Sequence, residues 1–225
     1  VIHKLYFKRS IGRFRSSLIN NRRVVRAING LNADLVHLHW VNDGFLSASD
    51  LRRIEAPKVW SMHDMNPVTG GCHYSGTCRH YSQACGNCPL LKSSYLLDLS
   101  RIIATKKRRS YENSDLTFIG LSEWISETAR MSILASGKQV FNLPNCINTS
   151  LFKPMDKEFC RRIWNIQTEG KVVMFGAVNS KDDPRKGFQL LKEAISDFRT
   201  EDFSLVIFGS NKESNEIQKD IQQQI

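Results

Sequence analysis

Short apolar runs alternate along this chain with segments of helical periodicity. The runs are apolar throughout and do not alternate with polar residues, which is typical of strands buried in a parallel sheet. They cover residues 34–40, 58–63, 116–121, 139–143, 172–176 and 204–209. The helical segments cover residues 48–54, 97–113, 123–135, 157–164, 188–198 and 213–224. Strands that alternate with helices predict an α/β fold with parallel sheets, in which ligands bind at the carboxyl ends of the strands.

The pattern is interrupted near residues 145–154, where Pro144, Pro154 and two asparagines follow the fourth predicted strand. Proline and asparagine favour turns and end regular elements. After this break the order of strand, loop and helix starts again. We therefore predict two domains, residues 1–150 and residues 151–225. We expect the second domain to be truncated, because two strands are too few for an independent doubly wound sheet.

Basic residues are concentrated at the start of the chain. The formal net charge is +10, and eight Lys and Arg residues precede the first acidic residue, Asp34. Apolar residues at positions 11, 14, 18, 25 and 28 have near-helical spacing. They predict a basic amphipathic helix that lies on an anionic membrane surface, and a second basic cluster at residues 106–109 would join it there. The alternative is a helix packed on the core with its charged face in water.

The overall composition is that of a globular protein, with 41% hydrophobic and 24% charged residues. No apolar run approaches the roughly 20 residues that cross a bilayer, so we predict no membrane span. The first residues include no initiator Met and no signal-peptide pattern. We expect the chain to be an internal piece of a longer protein.

Four of the six cysteines lie in one loop, residues 70–90; they are Cys72, Cys78, Cys85 and Cys88. The loop is rich in small residues, and we expect it to lack an apolar core and to need a staple. Cysteines at this spacing can hold a structural zinc through four thiolates, with His73 and His80 as spare ligands. Disulfides and free thiols are the alternatives. Cys146 and Cys160 are expected to be buried thiols.

A polar loop with two cations follows the fifth predicted strand. The strand ends at Gly176, and residues 182–187 (DDPRKG) lead into the next predicted helix. The first N–H groups of a helix and the positive end of its dipole favour an anion. Arg185 and Lys186 add two full positive charges. This pattern predicts a phosphate or diphosphate site, and hence a nucleotide-linked substrate; the alternative is a solvated basic loop.

Three histidines lie in or at the ends of the first two predicted strands. Because side chains alternate along a strand, His37 and His39 lie on the same face. His63 closes the second strand and is followed by Asp64, so it belongs to the end where ligands bind. We predict that His63 and His39 contact a ligand and that His37 is structural.

Together these segments resemble the retaining glycosyltransferases of family 4, which have the GT-B architecture of two facing Rossmann-like domains. The similarity is to bacterial members that build exopolysaccharide, capsule or lipopolysaccharide, of the colanic-acid type. The segments that carry it are HLHWVN at 37–42, WSMHDMNPVTGGCHYSG at 60–76, CGNCP at 85–89, LPNCIN at 143–148, FKP at 152–154, FGA at 175–177 and PRKG at 184–187.

The resemblance implies an enzyme that moves a sugar from a nucleotide-sugar donor to a glycan or lipid-linked acceptor in cell-surface polysaccharide biosynthesis. It implies an acceptor-side first domain that carries the cysteine-rich loop, and a second domain that binds the donor. No catalytic metal is needed, and a structural zinc is compatible with this chemistry. The implied partners are the donor, the acceptor and an anionic membrane surface, with no nucleic acid. The implied location is cytoplasmic, peripheral on the inner face of the cytoplasmic membrane.

The resemblance also assigns the site residues. The donor-binding residues would be Gly176, Arg185, Lys186 and Gly187. The catalytic residue would be His63, and the acceptor-side residues would be His39, Asp64 and Asn145. Arg185 and Lys186 would neutralise the diphosphate as the nucleotide leaves, and His63 would assist proton movement.

The chain departs from the family pattern at several points. Ala177 stands where many members carry Arg, and Cys146 replaces a hinge glycine. A glycine-rich N-terminal loop and a later Glu-x7-Glu region are absent from these 225 residues, so we expect the segment to be inactive by itself. Two other functions stay open. One is a zinc-stabilised nucleic-acid-binding module, which the sequence pI of about 9.5 favours. The other is a non-catalytic scaffold, which Ala177 favours.

Overall fold

The computed structural model describes residues 14, 17–42, 44–166, 170–176, 184–196 and 203–208. Contacts divide the chain into two compact units, Val1–Ile147 and Asn148–Ile225. Both units are built from parallel strands and helices, so the predicted α/β fold class is confirmed. The predicted helix at residues 213–224 lies outside the described residues.

The first unit contains a four-stranded parallel sheet. Its strands are β1 (Val36–Leu38), β2 (Lys58–Met62), β3 (Leu116–Gly120) and β4 (Val140–Asn142). They lie side by side in the order β1-β2-β3-β4. Each strand therefore ends at the same edge of the sheet as its neighbours, and the residues that follow β1 and β2 are brought together there.

Four helices accompany this sheet: α1 (Arg22–Asn29), α2 (Ala48–Leu51), α3 (Leu99–Glu112) and α4 (Glu123–Arg130). Each begins at a polar side chain that accepts a hydrogen bond from a backbone N–H group of the first turn. These capping residues are Asn21, Ser47, Asp98 and Ser122. Ser47 and Asp50 cap each other reciprocally, which fixes the start of α2.

The core lies between the helices and one face of the sheet. Leu38, Trp60 and Phe118 point to this face and are buried. Side chains of α2, α3 and α4 join them in one apolar cluster, whose members include Leu51, Ala104, Tyr111, Ile125 and Ala129. On the other face the side chains of His37, Val59, Thr117 and Phe141 are exposed or half-buried. This second face thus mixes histidine, polar and apolar side chains, and none of these four is buried.

The N-terminal region differs from the predicted single amphipathic helix. Phe14 is buried and forms an isolated antiparallel bridge with Cys72, and helix appears only from Arg22 to Asn29. In α1, Val25 is buried in the core while its arginines are exposed. This part of the chain therefore matches the alternative of a core-packed helix with a solvated basic face.

The second unit contains a two-stranded parallel sheet of β5 (Lys171–Gly176) and β6 (Phe203–Phe208). Its helices are α5 (Lys157–Ile163) and α6 (Phe188–Ile195). A Cβ atom on Gly176 would lie 2.2 Å from the Phe208 ring, so a larger residue here would have to push that exposed ring aside. Within the described ranges, none of the helices combines the length and the apolar character that a membrane span requires.

Candidate functional site

Two histidines meet at the carboxyl ends of β1 and β2. Nδ1 of His39 lies 2.9 Å from Nε2 of His63, and both side chains are exposed. The indole N–H of Trp60 donates to the His39 carbonyl at 2.6 Å, which fixes the backbone where β1 ends. Two imidazoles that share one hydrogen bond provide both a donor and an acceptor for a bound ligand.

His37 lies beside this pair on the same face. Its ring centroid is 4.3 Å from that of His39, and its Nε2 is 2.9 Å from the Ser61 hydroxyl. Burial lowers the pKa of His37, and the neighbouring His39 lowers it further. The ring is therefore held by the sheet itself, in keeping with the structural role predicted for it.

Directly after His63, a buried carboxylate binds a buried imidazole. Asp64 Oδ2 accepts a hydrogen bond from Nδ1 of His73 at 2.6 Å, and each residue is only 8% exposed. Asp64 Oδ1 accepts the backbone N–H of Asn66 at 2.7 Å. Burial alone would raise the pKa of Asp64, but hydrogen bonds from His73, Asn66 and Trp40 outweigh it and hold the pKa below its usual value.

Sequence reasoning treated His73 only as a spare zinc ligand. In the structure its ring is stacked on Trp40, with centroids 5.8 Å apart and planes inclined by 24°. Trp40 is 45% exposed, so the pair reaches from the protein interior to the surface. The only feature of the sequence that pointed to this position of His73 was the pair of glycines before Cys72, which lets the chain turn back towards β2.

The loop between Asp64 and His73 is held from below by α3. The Lys107 ammonium donates to the backbone carbonyls of Asn66 and Thr69 and to the Asn66 side chain, and the Tyr111 hydroxyl donates to the Pro67 carbonyl. Lys107 is 3% exposed, and burial lowers its pKa to about 8 although the charges of Cys72, Cys85 and Asp64 oppose that shift. The sequence prediction grouped Lys107 with a membrane-facing basic cluster; the structure corrects this, because its ammonium is buried.

The cysteine-rich loop has a small core of its own, contrary to expectation. Phe14, Cys88, Leu91 and Ile103 are buried together. The loop is also anchored to the start of α3, where Asp98 accepts the Cys88 N–H at 2.8 Å. Packing and a backbone hydrogen bond therefore help to hold this loop in place.

The four loop cysteines lie in one neighbourhood. Burial raises the pKa of Cys72 to about 11 and that of Cys85 to about 12, and the charges of nearby cysteines add to both shifts. All of them are free thiols here. Among the described residues, no group of three or more Cys, His, Asp or Glu side chains is placed so that it could hold a metal ion. These thiol positions do not fit a closed zinc site, and zinc stays a prediction.

The basic loop of the second unit forms a short 3-10 turn, Pro184–Lys186, that leads into α6. Gly187 caps α6 with φ of +75°, a left-handed conformation that glycine adopts readily. Arg185 and Lys186 are exposed. The two positive charges thus lie at the start of a helix, as predicted. Residues 177–183, which include Ala177, lie outside the described part.

Two further residues complete the predicted set. Asn145 is exposed in the segment that precedes Asn148, where the second unit begins. Cys146 is also exposed, so its prediction as a buried thiol was wrong. Of the acceptor-side residues, the structure brings the His39 side chain together with that of His63, while the Asp64 carboxylate binds His73 instead. Asn145 does not join either pair.

Comparison of the chain with models of known protein families and with curated proteins found no match.

Proposed function

We propose that this chain is part of a retaining glycosyltransferase of GT-B architecture that transfers a sugar from a nucleotide-sugar to a glycan or lipid-linked acceptor. The observation that carries the proposal is the contact between His39 and His63 at the carboxyl ends of two neighbouring parallel strands, directly before Asp64, whose carboxylate binds His73. In open α/β sheets this edge is where substrates bind.

The chemistry of this cluster supports the proposal. A sugar presents several hydroxyl groups, each of which needs a donor or an acceptor. The exposed imidazoles of His39 and His63 offer both, and imidazole is the side chain that enzymes use most often for proton transfer. We assign His63 the role of assisting proton movement at the acceptor, and His39 and Asp64 the role of organising that side.

The second unit supports the donor half of the reaction. Arg185 and Lys186 flank the start of an eight-residue helix whose capping residue is a glycine. Two cations and free N–H groups at one point suit the diphosphate of a nucleotide-sugar, whose charge grows as the sugar leaves. We propose that Gly187 forms the turn that exposes the first N–H groups of the helix. Gly176 would end the strand that precedes this loop.

We further propose that the protein works at the inner face of the cytoplasmic membrane as a peripheral protein. Support comes from exposed cations on two helices of the first unit. They are Arg22, Arg23 and Arg26 on α1, and Lys106, Arg108 and Arg109 on α3. Basic side chains near an anionic lipid surface gain about 1 kcal/mol each.

The test is nucleotide binding. Titrating the chain with UDP, GDP and ADP while recording the melting temperature should reveal stabilisation by one of them, about 2.7 kcal/mol at a hundredfold excess over Kd. Lys186→Ala should weaken that stabilisation. Lys171→Ala, which removes an exposed charge at the opposite end of β5, should leave it unchanged.

The rival functions predict other results. If none of the three nucleotides stabilises either this chain or the longer protein of which it is proposed to be a part, the transferase proposal fails. Salt-sensitive binding of DNA or RNA would then support a nucleic-acid-binding module, because phosphate contacts weaken steeply as salt rises.

A further inference from the structure

One ring nitrogen of His73 stands out among the buried polar atoms of the described residues. Its Nε2 is fully buried and has no hydrogen-bond partner, and it is the single side-chain atom of those residues in this state. A buried polar atom that has lost its water and gained no partner destabilises the folded protein. The fold keeps His73 in place all the same, which indicates that this nitrogen has a partner when the protein works.

The hydrogen bonds of His73 define which partner this can be. Nδ1 faces the Asp64 carboxylate at 2.6 Å, so it carries the proton and donates. In the neutral ring Nε2 is then an acceptor with a free lone pair. The carboxylate behind the ring fixes this tautomer and makes Nε2 a better acceptor. The missing partner is therefore a group that donates, such as a hydroxyl.

Trp40 lies between the His73 ring and the surface. Its indole is stacked on that ring and hydrogen-bonded to Asp64, while 45% of the residue is exposed, so one ring contact and one hydrogen bond hold it on the protein side. His39, the residue before it, already belongs to the exposed histidine pair. An aromatic face beside a single directed acceptor is a common composition of small-ligand sites.

We propose that Nε2 of His73 accepts a hydrogen bond from a sugar hydroxyl, after the indole of Trp40 has moved aside to admit the sugar. The proposal rests on the transferase function in the choice of a sugar as ligand. It makes His73 a substrate-binding residue that Asp64 orients, and it extends the site from the exposed histidines into the protein.

Histidine NMR on the 225-residue chain tests this directly. Spectra of 15N-labelled protein should show His73 protonated at Nδ1. Titration with methyl glycosides of glucose, galactose, mannose and fucose should shift the Nε2 resonance of His73 for at least one sugar. If the whole panel leaves this resonance unmoved, the proposal is overturned.

Two matched variants separate binding from folding. In His73→Asn the amide nitrogen replaces Nδ1 and still donates to Asp64, but nothing replaces Nε2. Its affinity for the responding glycoside should fall about two- to tenfold, the value of one hydrogen bond. His80→Asn makes the same substitution at a histidine whose Nδ1 contacts the Gly86 carbonyl, and its affinity should match wild type.

A buried water on Nε2 is the competing account. It predicts that His73→Asn changes the melting temperature and leaves glycoside affinity intact, which would overturn the proposal. If His73→Asn does not fold, the wild-type titration decides alone. Nucleotide binding keeps the two proposals apart. If a nucleotide stabilises the protein but no glycoside shifts the His73 resonance, only this inference is overturned. If a glycoside shifts the His73 resonance but no nucleotide binds, the transferase proposal is overturned.

Discussion

At the residue scale, Asp64 determines the course of the chain after β2. It accepts hydrogen bonds from the Asn66 backbone and from His73, and its pKa lies below its usual value. Because the pKa of Asp64 is lower in the folded protein than in the unfolded chain, its ionised carboxylate stabilises the fold fully at pH values above the unfolded pKa. This stabilisation is lost as pH falls through the folded pKa.

Asp64→Asn should therefore lower the free energy of unfolding by about 1–3 kcal/mol at neutral pH, because one amide cannot accept from both donors. Urea denaturation measures this, with Asp34→Asn at an exposed position as the control. The difference from wild type should shrink as the pH approaches the carboxyl range. A difference that persists unchanged in acid would contradict the role of the charge.

The cysteines differ sharply in reactivity at this scale. Thiolates are the reactive form, and the pKa values of about 11 for Cys72 and about 12 for Cys85 leave few of them at pH 8. We expect iodoacetamide to modify exposed Cys146 first, Cys72 about a hundredfold more slowly and Cys85 about a thousandfold more slowly, as followed by peptide mass spectrometry.

The same time course tests the zinc prediction. If the loop thiols hold a metal, a chelator will release them and accelerate their modification. If Cys72 and Cys85 react as fast as Cys146 without a chelator, the buried placement of their thiols is wrong.

At the element scale, the last turns of α3 act as a support for the loop after β2. Lys107 contributes with a pKa of about 8, below the 10.5 of an exposed lysine. Between these two values the unfolded chain binds more protons than the folded one. Stability from this group therefore rises with pH across that window, by about 3 kcal/mol in total.

Lys107→Met should remove this rise, although it also leaves the Asn66 and Thr69 carbonyls without their donor. Urea unfolding from about pH 7.5 to about pH 10 measures the difference between wild type and variant. The thiols of Cys72 and Cys85 act in the opposite sense above pH 9, and losing the Lys107 charge changes their pKa values, so the two slopes are compared below pH 9. Lys106→Met, at the exposed neighbour, should keep the wild-type slope; an equal slope in Lys107→Met would refute the assignment.

Element boundaries show where sequence patterns lose their power. The segment 123–135 was predicted as one helix, but α4 ends at Arg130 and a 3-10 turn, Ile133–Ala135, follows. Ser132 causes the break, because its hydroxyl accepts from the Leu134 N–H and donates to the distant Val68 carbonyl. Such a side chain competes with the helical pattern through a partner that periodicity does not reveal.

At the scale of the whole molecule, the sheets were predictable and the depth of the site was not. Continuous apolar runs are a strong signal for buried parallel strands, so the sequence located all six strands of the described residues. The ends of two of these strands pointed to His39 and His63. His73 and Lys107 meet Asp64 and Asn66 only because a long loop folds back, over 9 and 41 residues respectively. Local patterns carry no information on contacts of this range.

The pairing of β1 and β2 has an evolutionary consequence. His37 and His39 face the open side only because Leu38, between them, faces the core opposite Trp60. Inserting or deleting one residue within β1 would turn an imidazole into the apolar interior or Leu38 out into water. The alternation of side chains along β1 thus determines both which residues face the proposed site and which residue fills the core. Descendants of this sequence can change the length of the loops around β1 freely, but β1 itself can drift only by substitution.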